Sequence, residues 1–171
     1  KFIHYMVKLN KIQLIIHATV KLIFGLGIIA LLLFLPAGTW YYWNAWLLLA
    51  LLFIPMICMG VVMLVSAPEL LSKRLNNKEK EQTQKHIVAL SGVMFITGFL
   101  LCGFDYHFGW SHMPVWVVIT ASLLFLIGYM LYAEVLRENA YLSRTVEVQD
   151  DQQLIDTGLY SVVRHPMYTA T

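Results

Sequence analysis

Charge is scarce in this sequence. Only 13% of its 171 residues are Asp, Glu, Lys or Arg, against about a quarter in soluble domains, and 59% are hydrophobic. That deficit excludes an ordinary soluble domain. The hydrophobic share, with 13% aromatics, equally excludes disorder. Cysteine is nearly absent: Cys58 and Cys102 form no disulfide or metal-ligand pattern and are expected to be buried apolar filler. Basic residues interleaved with aromatics are missing outside the membrane flanks, so nucleic acid is not an expected partner. The net charge of +2 adds little.

What is present is long uncharged sequence. Between Lys21 and Glu69 lie 47 residues without a formal charge, another 19 separate Lys85 from Asp105, and 28 separate Asp105 from Glu134. A membrane-crossing helix takes about 20 apolar residues, so the first stretch is too long for one crossing. It divides at Pro36-Ala37-Gly38-Thr39, and Trp40 to Trp43 just beyond suit the headgroup level. The pattern predicts an all-α integral membrane protein with spans at about 14–36, 42–66, 86–104 and 114–136. Residues 1–136 make the transmembrane region and 137–171 a polar cytosolic segment.

All twelve Lys and Arg fall before or in the opening turns of the first span, between the second and third, or from the end of the fourth onward. The positive-inside rule makes those segments cytoplasmic, both visible ends included. The basic connection also suits anionic lipid, so the bilayer is the first expected partner. Residues 1–20 are expected to form an interfacial helix leading into the first span. The stretch 1–36 is a poor secretory signal, because its polar part is long and Leu35-Pro36-Ala37 is a weak cleavage site. Gln13, His17 and Lys21 share one helical face, and ionisable groups at membrane depth are functional candidates. Snorkelling to the cytoplasmic interface is the favoured reading for His17 and Lys21.

Residues 67–86 read as a charged connection with a short surface helix around 69–76. On the opposite side, Asp105, His107 and His112 fall near Trp110, in what reads as a solvated, interface-anchored loop. Their spacing matches no recognised ligand pattern, and no metal is expected. Histidines near span ends also argue against bis-histidine haem.

Beyond Glu134 charge and turn signals return. Asp150-Asp151 and Asp156-Thr157-Gly158 mark turns, and Tyr160 to Arg164 suits one helical turn. Pro166 suits the first position of a new helix, while His165 before it is pushed out of helical conformation. A fifth helix starting there would present free N–H groups and a positive dipole end at the cytosolic face, where an anionic group can bind.

The string Gly158-Leu-Tyr160-Ser-Val-Val-Arg164-His165-Pro166-Met167-Tyr168 resembles the signature of the isoprenylcysteine carboxyl methyltransferase family. Those multi-pass membrane enzymes are related to the phospholipid N-methyltransferases. Leu136-Arg-Glu-Asn139, Ser143-Arg-Thr-Val-Glu-Val-Gln149 and Leu154-Ile-Asp-Thr-Gly158 look like the bacterial branch, which implies the inner membrane. The resemblance implies methyl transfer from S-adenosylmethionine to an amphipathic or lipid-like acceptor. It implies cofactor contacts at Gln152, Gln153, Leu154, Ile155, Tyr160, His165, Pro166, Met167 and Tyr168, with Thr145 a lesser candidate. No catalytic base is assigned; Glu134 and His165 are the nearest groups. The family continues past this motif into a further membrane segment and a Glu-Glu stretch, whereas this sequence stops at Thr171, so it is expected to be a fragment. A glycine usual after the motif is Ala170 here. Rival readings are a phospholipid N-methyltransferase, a non-enzymatic carrier or assembly protein, and a haem-binding subunit.

Overall fold

The computed structural model describes residues 11–75, 82–138, 158–163 and 169. Among them are α1 (Lys11–Ala37), α2 (Trp43–Ser66), α3 (Pro68–Leu75), α4 (Gln82–Phe108), α5 (Val115–Glu138) and α6 (Leu159–Val162), with no strand. Four of these helices, α1, α2, α4 and α5, are long and apolar enough to cross a membrane. The chain therefore has the make-up of a multi-pass membrane protein. Each span lies where the apolar runs predict it, and the segment expected to be cytosolic and to open a fifth helix falls largely outside the described residues.

The helix ends differ from the apolar boundaries for local reasons. Hydropathy marks where the membrane begins, whereas a helix runs until its backbone is stopped. α1 ends where Gly38 turns left-handed (φ 68°) and donates its N–H to the Phe34 carbonyl at 3.0 Å. α4 runs on through Asp105 and His107 to Phe108, and stops at Gly109 (φ 64°), whose N–H reaches the Asp105 carbonyl at 2.8 Å. Asp105 and His107 thus belong to a helix end and not to the loop expected for them. At the other end α1 is unbroken from Lys11, so residues 11–20, the described half of the expected interfacial helix, continue directly into the span; residues 1–10 lie outside the described set. Pro68 takes the first position of α3, one residue ahead of the expected start.

Principal contacts run in the order α4–α1–α2–α5, with α3 lying against α1 and α2. α1 and α4 run parallel: Gly103 of α4 sits beside Leu33 and Pro36, and His107 Nδ1 lies 3.1 Å from the Ala37 carbonyl. Near that end Leu33, Phe34, Ala45, Leu49 and Phe53 form one buried cluster. A second cluster at the opposite end joins Leu14 of α1, Met63 of α2, Leu70 and Leu71 of α3, and Leu136 of α5. Most other span side chains point outward, as expected where acyl chains are the solvent.

Cys58 and Cys102 are among the outward ones. The expectation of buried filler is corrected: both thiols sit on exposed helix faces, as small apolar groups that a bilayer can cover.

Pro55 breaks the hydrogen-bond ladder within α2, because it has no N–H for the Leu51 carbonyl. In the same turn the Tyr129 hydroxyl of α5 donates to the Leu52 carbonyl at 3.1 Å. Tyr129→Phe is expected to cost about 0.6 kcal/mol, the usual worth of an interhelical hydrogen bond in a membrane. Equilibrium unfolding in mixed micelles checks it; an unchanged midpoint removes Tyr129 as a tie between α5 and α2.

Candidate functional site

The two ends of the bundle differ in chemistry. One gathers the starts of α1 and α4, the ends of α2 and α5, and α3. Every Lys and Arg among the described residues belongs to it: Lys11, Lys21, Lys73, Arg74, Lys85 and Arg137. At the other end lie the connections 38–42 and 109–114, rich in aromatic rings.

At the aromatic end Phe34, Trp40 and Trp46 pack with centroid spacings of 4.9 Å from Phe34 to each indole. Tyr42 stacks on Tyr106 at 4.2 Å and donates its hydroxyl to the Cys102 carbonyl at 3.3 Å. Burial pushes the Tyr42 phenol above its ordinary value, and Cys102 and Asp105 add to the shift, so it stays the proton donor that this bond needs. Asp105 accepts from the Ser111 hydroxyl at 2.7 Å, and the His107 ring is turned to the Ala37 carbonyl. These polar groups serve helix ends. Among the described residues no three of His, Cys, Asp and Glu gather as a metal would require.

The basic end carries the polar contacts that join α1, α3 and α5. Lys21 Nζ donates to the Leu75 carbonyl, the last of α3, and so satisfies an orphan acceptor at that helix end. Lys21, half-buried, thus reaches the basic end of the bundle through the last carbonyl of α3, and His17 is exposed. Arg74 of α3 donates to the Tyr132 hydroxyl of α5, with its guanidinium carbon 5.2 Å from the ring centroid. One turn on, Arg137 holds both carboxylate oxygens of Glu134, with Nε to Oε2 at 3.0 Å. That grip favours an ionised acceptor at Glu134 over a free general base.

α5 leads from this end toward the segment with the methyltransferase-like string. Gly158 has φ 54°, a conformation that favours glycine, and opens the single turn of α6. The Ser161 N–H and hydroxyl both donate to the Gly158 carbonyl, at 3.2 and 2.7 Å. Tyr160 therefore sits, half-buried, on the single helical turn that Gly158 opens. The turn expected at Tyr160–Arg164 is found one residue earlier, at Leu159–Val162.

Of the expected cofactor residues, Tyr160 is the one described. Gln152, Gln153, Leu154, Ile155, His165, Pro166, Met167 and Tyr168 lie outside the described residues, as does Thr145. Of the residues expected to open a fifth helix, 166–171, only Thr169 is described. Sequence reasoning missed Arg74 and Tyr132. The available signal was the pair Tyr129 and Tyr132, three residues apart and hence on one face of an otherwise apolar helix. Compared with protein-family models, with curated proteins and with solved structures, the chain matches none.

Proposed function

We propose that the chain is a membrane-embedded S-adenosylmethionine-dependent methyltransferase acting on an amphipathic or lipidated acceptor, with carboxyl O-methylation of an isoprenylcysteine-type group as the reaction. One observation carries the reading. The ordered string from Gly158 to Tyr168 resembles the isoprenylcysteine carboxyl methyltransferase signature and follows four apolar helices. Two structural features support it. Gly158 and α6 form the tight turn that the string requires before Tyr160. The cations of the bundle collect at the end from which α5 leads to that string, which the positive-inside rule assigns to the cytosol, here of a bacterial inner membrane.

The donor set fits the cofactor chemically. When bound, S-adenosylmethionine supplies a sulfonium methyl group, which passes to the acceptor carboxylate as the carbon–sulfur bond breaks. The ring faces of Tyr160 and Tyr168 suit the sulfonium charge. Leu154 and Ile155 offer an apolar wall for adenine, Gln152 and Gln153 offer amides, and a helix start at Pro166 suits the amino-acid carboxylate. The chain's main contribution is then alignment, since a carboxylate acceptor needs no base.

Binding of S-adenosylhomocysteine to the purified protein in detergent tests the reading, and micromolar affinity is the expected result. Methyl transfer from labelled S-adenosylmethionine to prenyl-cysteine analogues, with phospholipids in parallel, tests the acceptor. Transfer to a phospholipid amine would replace the carboxyl acceptor by the N-methyltransferase reading. Absence of binding would remove the enzyme reading altogether.

A further inference from the structure

The two halves of α5 are held very differently. Its buried side chains are Val135 (0% exposed) and Leu136 (5%), both in its last turns at the basic end. There Leu136 joins Leu14 of α1, Met63 of α2, and Leu70 and Leu71 of α3, while Tyr132 accepts from Arg74. From Val115 to Glu134 no side chain is buried within the fold. The cluster at the aromatic end draws on α1, α2 and Phe99 of α4, and among the described residues on none of α5.

The hydrogen bonds divide at the same level. The Tyr129 hydroxyl donates to the Leu52 carbonyl of α2 at 3.1 Å. From there toward the aromatic end, no described side chain of α5 hydrogen-bonds to another helix; Thr120 and Ser122 donate to their own helix, at the Trp116 and Val118 carbonyls. α4 and α5 are consecutive, yet each finds its principal packing elsewhere, on α1 and α2 respectively. Helices joined by so short a connection usually pack as antiparallel neighbours. Here the connection 109–114, exposed throughout, acts as a tether.

A transmembrane helix that mismatches its bilayer adjusts by tilting, and packing against its neighbours sets how far it can. α1, α2 and α4 are locked together at the aromatic end, with Gly103 against Leu33 and Pro36 and the Tyr42 hydroxyl on the Cys102 carbonyl. They can answer a change in thickness only as a unit. α5 can answer alone: its arm from Val115 to Tyr129 is about 21 Å long and is held at the Tyr129 end. Trp116, 68% exposed near the head of that arm, is a ring that favours the headgroup level and follows the membrane surface. Tilting the arm from about 20° to about 30° shortens its reach along the membrane normal by about 1.5 Å and carries its end about 3 Å sideways.

We propose that α5 is a hinged span. It pivots where Tyr129 meets Leu52, and its first half follows the thickness of the surrounding bilayer while α1, α2 and α4 form a fixed frame. The hinge belongs to the bundle and is independent of the proposed reaction.

Spin-label distances on the full chain in nanodiscs test it. Monounsaturated phosphatidylcholines with chains of fourteen, eighteen and twenty-two carbons supply thin, intermediate and thick bilayers. In a Cys58→Ser, Cys102→Ser background, Trp43→Cys with Ile119→Cys reports the arm against the frame. Trp43→Cys with Leu101→Cys reports the frame itself, and Val62→Cys with Ala133→Cys reports the held end of α5. The arm distance is expected to be longest in the thinnest bilayer and to shorten by about 3 Å across the series, with the other two changing by less than about 1 Å. Tyr129→Phe is expected to broaden the arm distribution and leave the held end narrow. A constant arm distance, or three distances that shift together, overturns the hinge. An arm distribution that Tyr129→Phe leaves unchanged overturns the pivot at Tyr129.

Discussion

Gly103→Leu is expected to force α1 away from α4 and to leave little correctly folded protein, at a cost of about 3 kcal/mol or more. A Cβ built at Gly103 would lie 2.6 Å from the Leu33 carbonyl oxygen and would run into the Pro36 ring. Both obstacles are rigid, one being backbone and the other a ring fixed to the backbone, so no rotamer change relieves the clash. The consequences spread along the pair. One turn beyond Gly103, His107 Nδ1 faces the Ala37 carbonyl at 3.1 Å, a helix-end acceptor that would lose this partner if the helices parted. Gly98 supplies the control. It lies on the same helix five residues earlier, and an added Cβ there meets nothing within 4 Å. Gly98→Leu is therefore expected to fold like the wild type. Size-exclusion profiles and unfolding midpoints in detergent separate the two; equal midpoints would mean that α1 and α4 do not pack through Gly103. Gly103→Ala, which adds only the Cβ, is expected to fall between them.

The spans were legible because a bilayer imposes a length on apolar sequence, and runs such as Leu22–Pro68 can satisfy it in few ways. Their ends were less so. Asp105 and His107 lower hydropathy without stopping a helix, and only the backbone of Gly109 does that. Neighbour choice was hidden for a different reason. A helix that is apolar on every side has no face that marks a partner, so nothing in the composition of α4 distinguishes packing on α1 from packing on α5. The information lay in single residues: Gly103 opposite Pro36, and the Tyr129 hydroxyl near the gap left by Pro55. The basic connection misled in the opposite direction. A charge run usually means solvation, yet the Arg74 guanidinium of this connection lies over the Tyr132 ring of α5. At the candidate site the string from Gly158 to Tyr168 is legible as an ordered motif, and of it the structure describes a left-handed Gly158 followed by one helical turn at Leu159–Val162.

On the proposed function, the largest effect on binding is expected from His165→Ala combined with Tyr168→Ala, which should weaken S-adenosylmethionine binding about a hundredfold. A loss of that size would also follow from misfolding, so the chemistry must be separated from the structure. The ligand pair does this. S-adenosylmethionine carries a sulfonium charge, whereas S-adenosylhomocysteine carries a neutral thioether in otherwise the same frame. An aromatic face that recognises the cation is worth about 0.5–2 kcal/mol, and only the charged ligand feels it. Tyr160→Leu is accordingly expected to weaken S-adenosylmethionine about tenfold and S-adenosylhomocysteine far less. Tyr160→Phe keeps the π face and should retain both ligands. If Tyr160 were only an interfacial anchor on the turn after Gly158, leucine would affect the two ligands equally, because anchoring does not depend on the ligand's charge. Titration of both ligands against the wild type, Tyr160→Leu, Tyr160→Phe and the double variant decides the point. Equal losses for the two ligands would strip Tyr160 and Tyr168 of a role at the sulfonium. A loss confined to the charged ligand would assign them one.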